Sequence, residues 1–324
     1  MTTTGQPWLS LIISTYQGEK YLPIMLDSIP LDELDDVEII VVDDGSTDGT
    51  LAILDAYTAK LPMRVFDRAH CGNWVANTNY AMGKARGRYI SMLHQDDIWL
   101  KNRLSTLRQL TVDFPHAGFF VSPSLYIDAS GKRIGKLTPP LARYHNPISS
   151  QSVLRHLIVQ NLFSIPAPFF SHEIALTVGK MDEDLWFLAD WDYWARLIAQ
   201  TETVYCSEPL SAFRVHPTSQ TSTRTDDSLD MLRQYHTVIQ KIASNLSCGE
   251  QEKTRAVRAA QLNAELSTAL AACSHGDRSM LGRALVKILW QSPMGWHRFL
   301  RDSRILERTL PRIKLNRKQS RHNE

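Results

Sequence analysis

The apolar positions of the first hundred residues fall in short runs that alternate with segments of helical spacing. WLSLIISTY (Trp8–Tyr16) is a β-branched apolar run with a polar end, the pattern of a buried strand. In EKYLPIMLDSI, Leu22, Met25, Leu26 and Ile29 recur at helical spacing, with Pro23 in a first turn that tolerates it. VEIIVVDDGS predicts a second strand, TLAILDAYTAK a second helix and MRVFDR a third strand. NWVANTNYAMGKA then predicts a helix and GRYISMLHQDD a fourth strand. This order predicts an α/β fold, a mainly parallel sheet flanked by helices.

Such sheets hold their ligands at the carboxyl ends of the strands. There the chain concentrates Ser14-Thr15-Tyr16, Asp43-Asp44-Gly45-Ser46 and His94-Gln95-Asp96-Asp97. From Phe119 to Pro217 short apolar runs alternate with turns such as DASGKR, continuing the same domain. After TSTRTDDS the pattern turns helical, with Leu229, Leu232, Val238, Ile239, Ile242 and Leu246 forming a stripe. The Ala-rich KTRAVRAAQLNAELSTALAA follows, which places a boundary near Thr218–Asp227.

Composition changes this picture little. The net charge of +2 gives no global signal for nucleic acid. From Leu281 onward, however, basic residues exceed acidic ones by roughly eight. Cys71, Cys206, Cys248 and Cys273 show no CxxC spacing, which argues against a zinc site and a disulfide framework. The N-terminus lacks a signal-peptide pattern and no apolar run is long enough to span a bilayer, so a reducing cytoplasm is the expected compartment.

Four segments carry candidate chemistry. VVDDGSTDGT (Val41–Thr50) is either a plain β-turn before an N-capped helix or a turn whose carboxylate accepts from a uracil or thymine N–H or from ribose hydroxyls. In MLHQDDIWL (Met92–Leu100) the adjacent acids Asp96 and Asp97 repel, so either one caps the following helix or a bound cation holds both. In GKMDEDLWFLADWDYWARL (Gly179–Leu197), Trp191, Trp194 and Leu197 recur at core spacing and Asp192 can pair with Arg196. In FRVHPTSQTS (Phe213–Ser222), Arg214 and His216 fall on one side of an extended segment. No GxGxxG follows the first strand and no GxxxxGK[ST] occurs, which argues against a dinucleotide-binding dehydrogenase and a P-loop enzyme.

In this order, over roughly the first 220 residues, these segments resemble the family 2 glycosyltransferases of GT-A fold, of the bacterial polysaccharide or O-antigen type. The resemblance implies inverting transfer from a nucleoside-diphosphate sugar to a glycan or undecaprenyl-linked acceptor. It divides residues 1–222 into a nucleotide-sugar half (about 1–100) and an acceptor half (101–222), leaving 223–324 as a helical, basic appendage. It assigns nucleotide-sugar binding to Ser14, Thr15, Tyr16, Glu19, Asp43, Asp44, Asn79, Gln95 and Arg214. The family's metal-binding DxD motif falls on His94 and Asp96, so Asp96 becomes the ligand of Mg²⁺ or Mn²⁺. Asp97 would support it through a water or as a helix cap, and His216 would complete the shell. Asp190 takes the position of the general base, because a sugar hydroxyl needs one to attack. Trp186 and Trp191 are the acceptor-binding candidates.

Two other readings stay open: a non-catalytic sugar-nucleotide or glycan binder on the same fold, and a sugar nucleotidyltransferase. The latter would carry a Gly-rich, Arg-containing loop where this chain has STYQGEKY. The basic C-terminal segment reads equally as a peripheral membrane contact at the inner face of the cell membrane and as a packing helix with a solvated tail.

Overall fold

The computed structural model describes residues 5–219, 227–274, 276–289, 293–307 and 309. Its centre is a seven-stranded sheet in the order β10-β6-β9-β4-β1-β2-β3. The strands that matter for the site are β1 (Leu9–Thr15), β2 (Val37–Asp43), β3 (Met63–Asp67) and β4 (Tyr89–Met92), with β1 parallel to both β2 and β4. Beyond β4 lies β9 (Phe169–Ser171), antiparallel to both its neighbours, then β6 (Phe119–Val121) and β10 (Thr203–Tyr205). The register sets Thr15 beside Asp43 and Ile12 beside Met92, so the polar ends of β1, β2 and β4 lie side by side.

The apolar runs are unbroken because both sheet faces are covered. Ile12, Ile40, Val42, Ile90 and Met92 enter one core; Leu9, Leu11, Ile13, Ile39 and Val41 enter the other, as the two-residue period of a strand requires. The first core is capped by α3 (Trp74–Met82), α5 (Ser150–Leu157) and α7 (Ala189–Ala199). The second is capped by α1 (Leu22–Asp27), α2 (Thr50–Thr58) and α4 (Arg103–Asp113). Gly87 precedes β4 where a Cβ would run into the Leu9–Ser10 backbone, so only glycine lets the strand enter there.

A second sheet, in the order β5-β11-β7-β8 with β7 at Ser124–Ile127 and β8 at Arg133–Leu137, escaped the sequence pattern because its strands are short. β5 is only Ile98–Trp99, and it pairs antiparallel with β11 (Ser211–Arg214), Ala212 opposite Ile98. Carried two residues further, that register sets Arg214 against Asp96. It also removes one expectation for the acidic pair. The chain after Asp97 is a strand, and α4 begins only at Arg103 behind Asn102, so neither acid caps a helix.

The C-terminal region is helical: α8 (Ser228–Ser244), α9 (Glu250–Ser274), α10 (Ser279–Leu289) and α11 (Pro293–Ser303). Asp227 caps α8 by accepting from the Leu229 and Asp230 amides. Met231, Tyr235, Val238, Ile239 and Ile242 of α8 join the core of the α/β body. Leu229, placed in that stripe by spacing, is instead 81% exposed in the first turn. Among the described residues no helix is long and apolar enough to cross a membrane. The tail from residue 310 and most of the expected boundary segment, residues 220–226, lie outside the described residues.

Candidate active site

The turn after β2 is built by its own acids. Asp43 is fully buried and accepts from Thr15 Oγ1, Ser46 N and Ser46 Oγ, each at 2.7 Å. Asp43 and Thr15 are therefore turned inward as a staple between β1 and β2, which corrects their expected contact with a ligand. Opposite, Glu19 Oε2 accepts the Gly49 amide at 2.8 Å, and Gln17 bonds Thr47 and Asp48, locking the two loops together. Glu19 thus has a structural contact where a nucleotide contact was expected.

Asp44, one residue on, faces the loop after β3. Its carboxylate accepts the Cys71 and Gly72 amides at 2.9 Å each. Burial pushes this carboxyl upward, but those amides and the Asn77 side chain outweigh it and hold the group below the usual carboxylate range. Gly45 makes the close approach of the two loops possible: it sits at φ +71°, where a Cβ would come within 2.9 Å of the His70 amide. The His70 ring stacks on Tyr16, centroids 4.4 Å apart and planes 19° from parallel. Tyr16 is 37% exposed, and its backbone is tied to Gln95 by two bonds, N to Oε1 at 2.7 Å and Nε2 to O at 2.9 Å. Ser14 lies beside them, its Oγ 3.1 Å from Thr78 Oγ1. Tyr16, Asp44, Gln95 and Ser14 are thereby gathered at the ends of β1, β2 and β4.

Two members of the expected set are spent elsewhere. Asn79 is buried in α3, donating to Met181 O and Glu183 Oε1 and accepting from Met181 N, so its amide ties α3 to the loop before α7. Arg214 is 2% exposed; its guanidinium bonds Asp96 O at 2.7 Å and Asp128 O at 3.0 Å and lies over the Tyr21 ring. Its planar fork shapes the acidic loop from beneath, which corrects the expectation that it addresses a diphosphate.

At the end of β4, ligand atoms of His94, Asp96 and Asp97 all lie within 4.8 Å of one another. Asp97 is fully buried; its Oδ1 accepts the Arg214 amide at 2.9 Å, while Oδ2 has no hydrogen-bond partner. Burial first, and the Asp96 charge second, push the Asp97 carboxyl well above the carboxylate range. Burial also lowers the His94 imidazole, against the pull of Asp96, which favours a neutral ring with a lone pair to give. His216 Nε2 lies 2.7 Å from Asp96 Oδ2, and its Nδ1 2.9 Å from Thr218 Oγ1. A hard divalent cation fits this donor set, since it would give the orphaned Asp97 oxygen a partner and offset the adjoining charges.

Asp190 stands in the first turn of α7, 8% exposed. Asn161 Nδ2 donates to its Oδ2 and the Trp191 amide to its Oδ1, both at 2.8 Å. Trp191 itself is wholly buried, with Nε1 on Leu157 O, so it belongs to the core and not to an acceptor surface. Asp192 pairs with Arg196 at 2.8 Å, as its spacing implies. The segment before Asp190 is held from two sides. From α3, Trp74 donates to Trp186 O at 2.7 Å while its ring meets the His94 ring edge-on at 5.2 Å. From α8, Asp230 accepts the Trp186 indole at 3.0 Å and Gln234 accepts the Phe187 amide at 3.0 Å. Asp190's segment and the acidic cluster therefore meet on one element, α3. Asn161, Trp74, Asp230 and Gln234 carried no signal in the sequence, because their partners are 29 to 112 residues away.

Residues 10–191 match the model of the family described as glycosyl transferase family 2. The chain is 27% identical over 235 residues to an uncharacterized glycosyltransferase of Rickettsia typhi, covering 72% of this chain and 70% of that one. A glycosyltransferase, GlyG, of Streptococcus pneumoniae is 33% identical over 102 residues, 31% of this chain and 34% of that one. Among solved structures, S. aureus TarS 1-349 in complex with UDP-GlcNAc superposes with a TM-score of 0.62 at 19% identity, over 80% of this chain and 72% of that one. The mannosyltransferase PcManGT of Pyrobaculum calidifontis, in complex with GDP-Man and Mn²⁺, gives 0.56 at 14% identity, over 94% and 88%. At these identities the structural likeness speaks for the shared GT-A fold, and the family match covers more than half the chain: this protein belongs to glycosyl transferase family 2.

Proposed function

We propose that the chain transfers a sugar with inversion from a nucleoside-diphosphate sugar to a glycan or undecaprenyl-linked acceptor, in bacterial surface polysaccharide synthesis of the O-antigen kind. Support for the donor class comes from the carboxylate of Asp44 and the exposed ring of Tyr16, an acceptor for base N–H groups beside a stacking surface. The UDP-GlcNAc and GDP-Man complexes of the two structural relatives point to the same class.

Asp96 holds Mg²⁺ or Mn²⁺ in this reading, with Asp97 in support, His216 completing the shell and His94 alongside, and the observation that carries it is the buried, partnerless Oδ2 of Asp97 inside the His94, Asp96, Asp97 cluster. When bound, such a cation supplies Lewis-acid neutralisation of the departing diphosphate. His216 orients Asp96 through the 2.7 Å contact, and Arg214 fixes the loop from below. Asp190, oriented by Asn161, takes the proton of the acceptor hydroxyl at Oδ1 or Oδ2, and Trp186 offers the acceptor an edge.

Residues 1–222 form the transferase unit in this proposal, and 223–324 a bracing and docking appendage acting at the cytoplasmic face of the membrane. Support for docking comes from Leu285, Val286, Leu300 and Leu306, each at least 37% exposed near Lys287 and Arg301.

The test is hydrolysis of UDP-, GDP- and dTDP-sugars with Mn²⁺, comparing wild type with Asp96→Ala and Asp190→Ala. Turnover of one donor, lost in both variants, supports the enzyme; binding without turnover supports the non-catalytic binder.

A further inference from the structure

We propose that His70 is a built-in stand-in for the nucleobase, seated in the base site until a donor displaces it, and that it thereby sets the affinity for nucleoside diphosphates. This rests on the reading that the base docks at Tyr16 and Asp44.

The geometry is that of a bound heterocycle. The imidazole stacks on Tyr16 at 4.4 Å and 19°. Its Nδ1 lies 2.9 Å from Asp44 O and 3.0 Å from Asp44 Oδ2. Both atoms only accept, so Nδ1 carries the proton and shares it between them. An aromatic ring that stacks on Tyr16 while giving an N–H to Asp44 makes the two contacts a uracil, thymine or guanine would make there.

The acceptor count makes the competition direct. An ionised carboxylate offers about four acceptor positions. On Asp44 they are taken up by the Cys71 amide and thiol, the Gly72 amide, the Asn77 side chain and His70. The two amides belong to the backbone of the turn and Asn77 is 1% exposed, whereas the His70 side chain is 49% exposed. Of these groups His70 is the one that also covers Tyr16, and it can leave without dismantling the loop. A base N–H therefore reaches Asp44 by replacing the imidazole. The apparent affinity is reduced by the fraction of molecules in which His70 is seated.

The experiment is calorimetric titration of UDP, GDP and dTDP, with Mn²⁺ present, into the full chain as wild type, His70→Ala and Asp44→Ala. The His70 Hε1 proton, assigned by its absence in His70→Ala, is followed by NMR during the UDP titration. His70→Ala should bind UDP about five- to a hundredfold more tightly, the worth of one stack and one hydrogen bond. The Hε1 line should move downfield as the ring leaves Tyr16. Equal or weaker binding by His70→Ala, or an upfield Hε1 shift from a base stacking onto a seated imidazole, overturns the proposal while the base site stands. Wild-type binding undiminished in Asp44→Ala, or no binding of any nucleotide, overturns the base-site reading itself and the proposal with it.

Discussion

His216 Nε2 lies 2.7 Å from Asp96 Oδ2 across 120 residues of sequence. The pairing of β11 with β5 brings it about, setting the chain past Arg214 alongside the acidic loop. The loop is thus held by Arg214 beneath and His216 at its side, yet the buried oxygen of Asp97 is left without a partner. In the proposed function these two adjacent acids seat the cation.

Asp97→Asn tests that cost. A buried acid whose folded pKa is raised loses stability as pH climbs from its unfolded value toward its folded one, so at neutral pH without metal Asp97 is a burden. The amide keeps the Arg214 contact and removes the ionisable group. In EDTA the variant should melt higher than wild type, by about 1–3 kcal/mol of stability. Mn²⁺ should raise the wild-type melting temperature and leave that of the variant unchanged.

The grip of α8 on the Trp186–Phe187 segment predicts that the C-terminal region matters to chemistry. Gln234 is fully buried and accepts the Phe187 amide three residues before Asp190. Gln234→Leu should lower kcat for donor hydrolysis roughly tenfold to a hundredfold, with donor KM nearly unchanged, because misplacing a reacting group costs rate more than binding. Gln234→Asn, which keeps both the acceptor and the amide donor that faces Asp230, should recover part of the loss.

How much of this was legible beforehand divides by range. The sheet of β1 to β4 was legible because its signals are local: unbroken apolar runs, helical spacing, and glycines at tight turns. Asp44, Tyr16, Gln95 and the Asp96–Asp97 pair could be placed together at one edge because they end those strands. The second sheet was not legible, since β5 has two residues and no period to read. The inward turn of Asp43, the burial of Trp191 and the use of Arg214 on two carbonyls depend on partners far along the chain. Residue type marks such groups as capable of binding; only packing says which way they face.

Acid should unfold the body through Glu38. Its carboxyl is buried, which raises its pKa, but bonds from Ser10 Oγ, the Arg86 amide and the Arg86 guanidinium bring it below the ordinary value. A carboxyl depressed in the folded state adds stability that is complete above its unfolded pKa and is lost as pH falls through the folded one. Wild-type melting temperature should therefore drop steeply on the acid side. Glu38→Gln should start lower, by about 1–3 kcal/mol, and fall less steeply.

The basic, apolar-faced C-terminal helices predict sedimentation with anionic liposomes, weakened by salt. Removing residues 310–324, which carry five basic residues and one acid, should cut the bound fraction and leave donor hydrolysis intact. Equal binding by the truncated and intact chains would assign the surface to packing.

Electron paramagnetic resonance of Mn²⁺ with UDP is the most direct measurement of the central claim, that the acids at 96 and 97 seat a cation for the nucleotide. Wild type should remove free-ion signal more strongly with UDP than without it, and Asp96→Ala should remove little in either case. Equal Mn²⁺ binding by the two proteins, with UDP making no difference, would contradict the account.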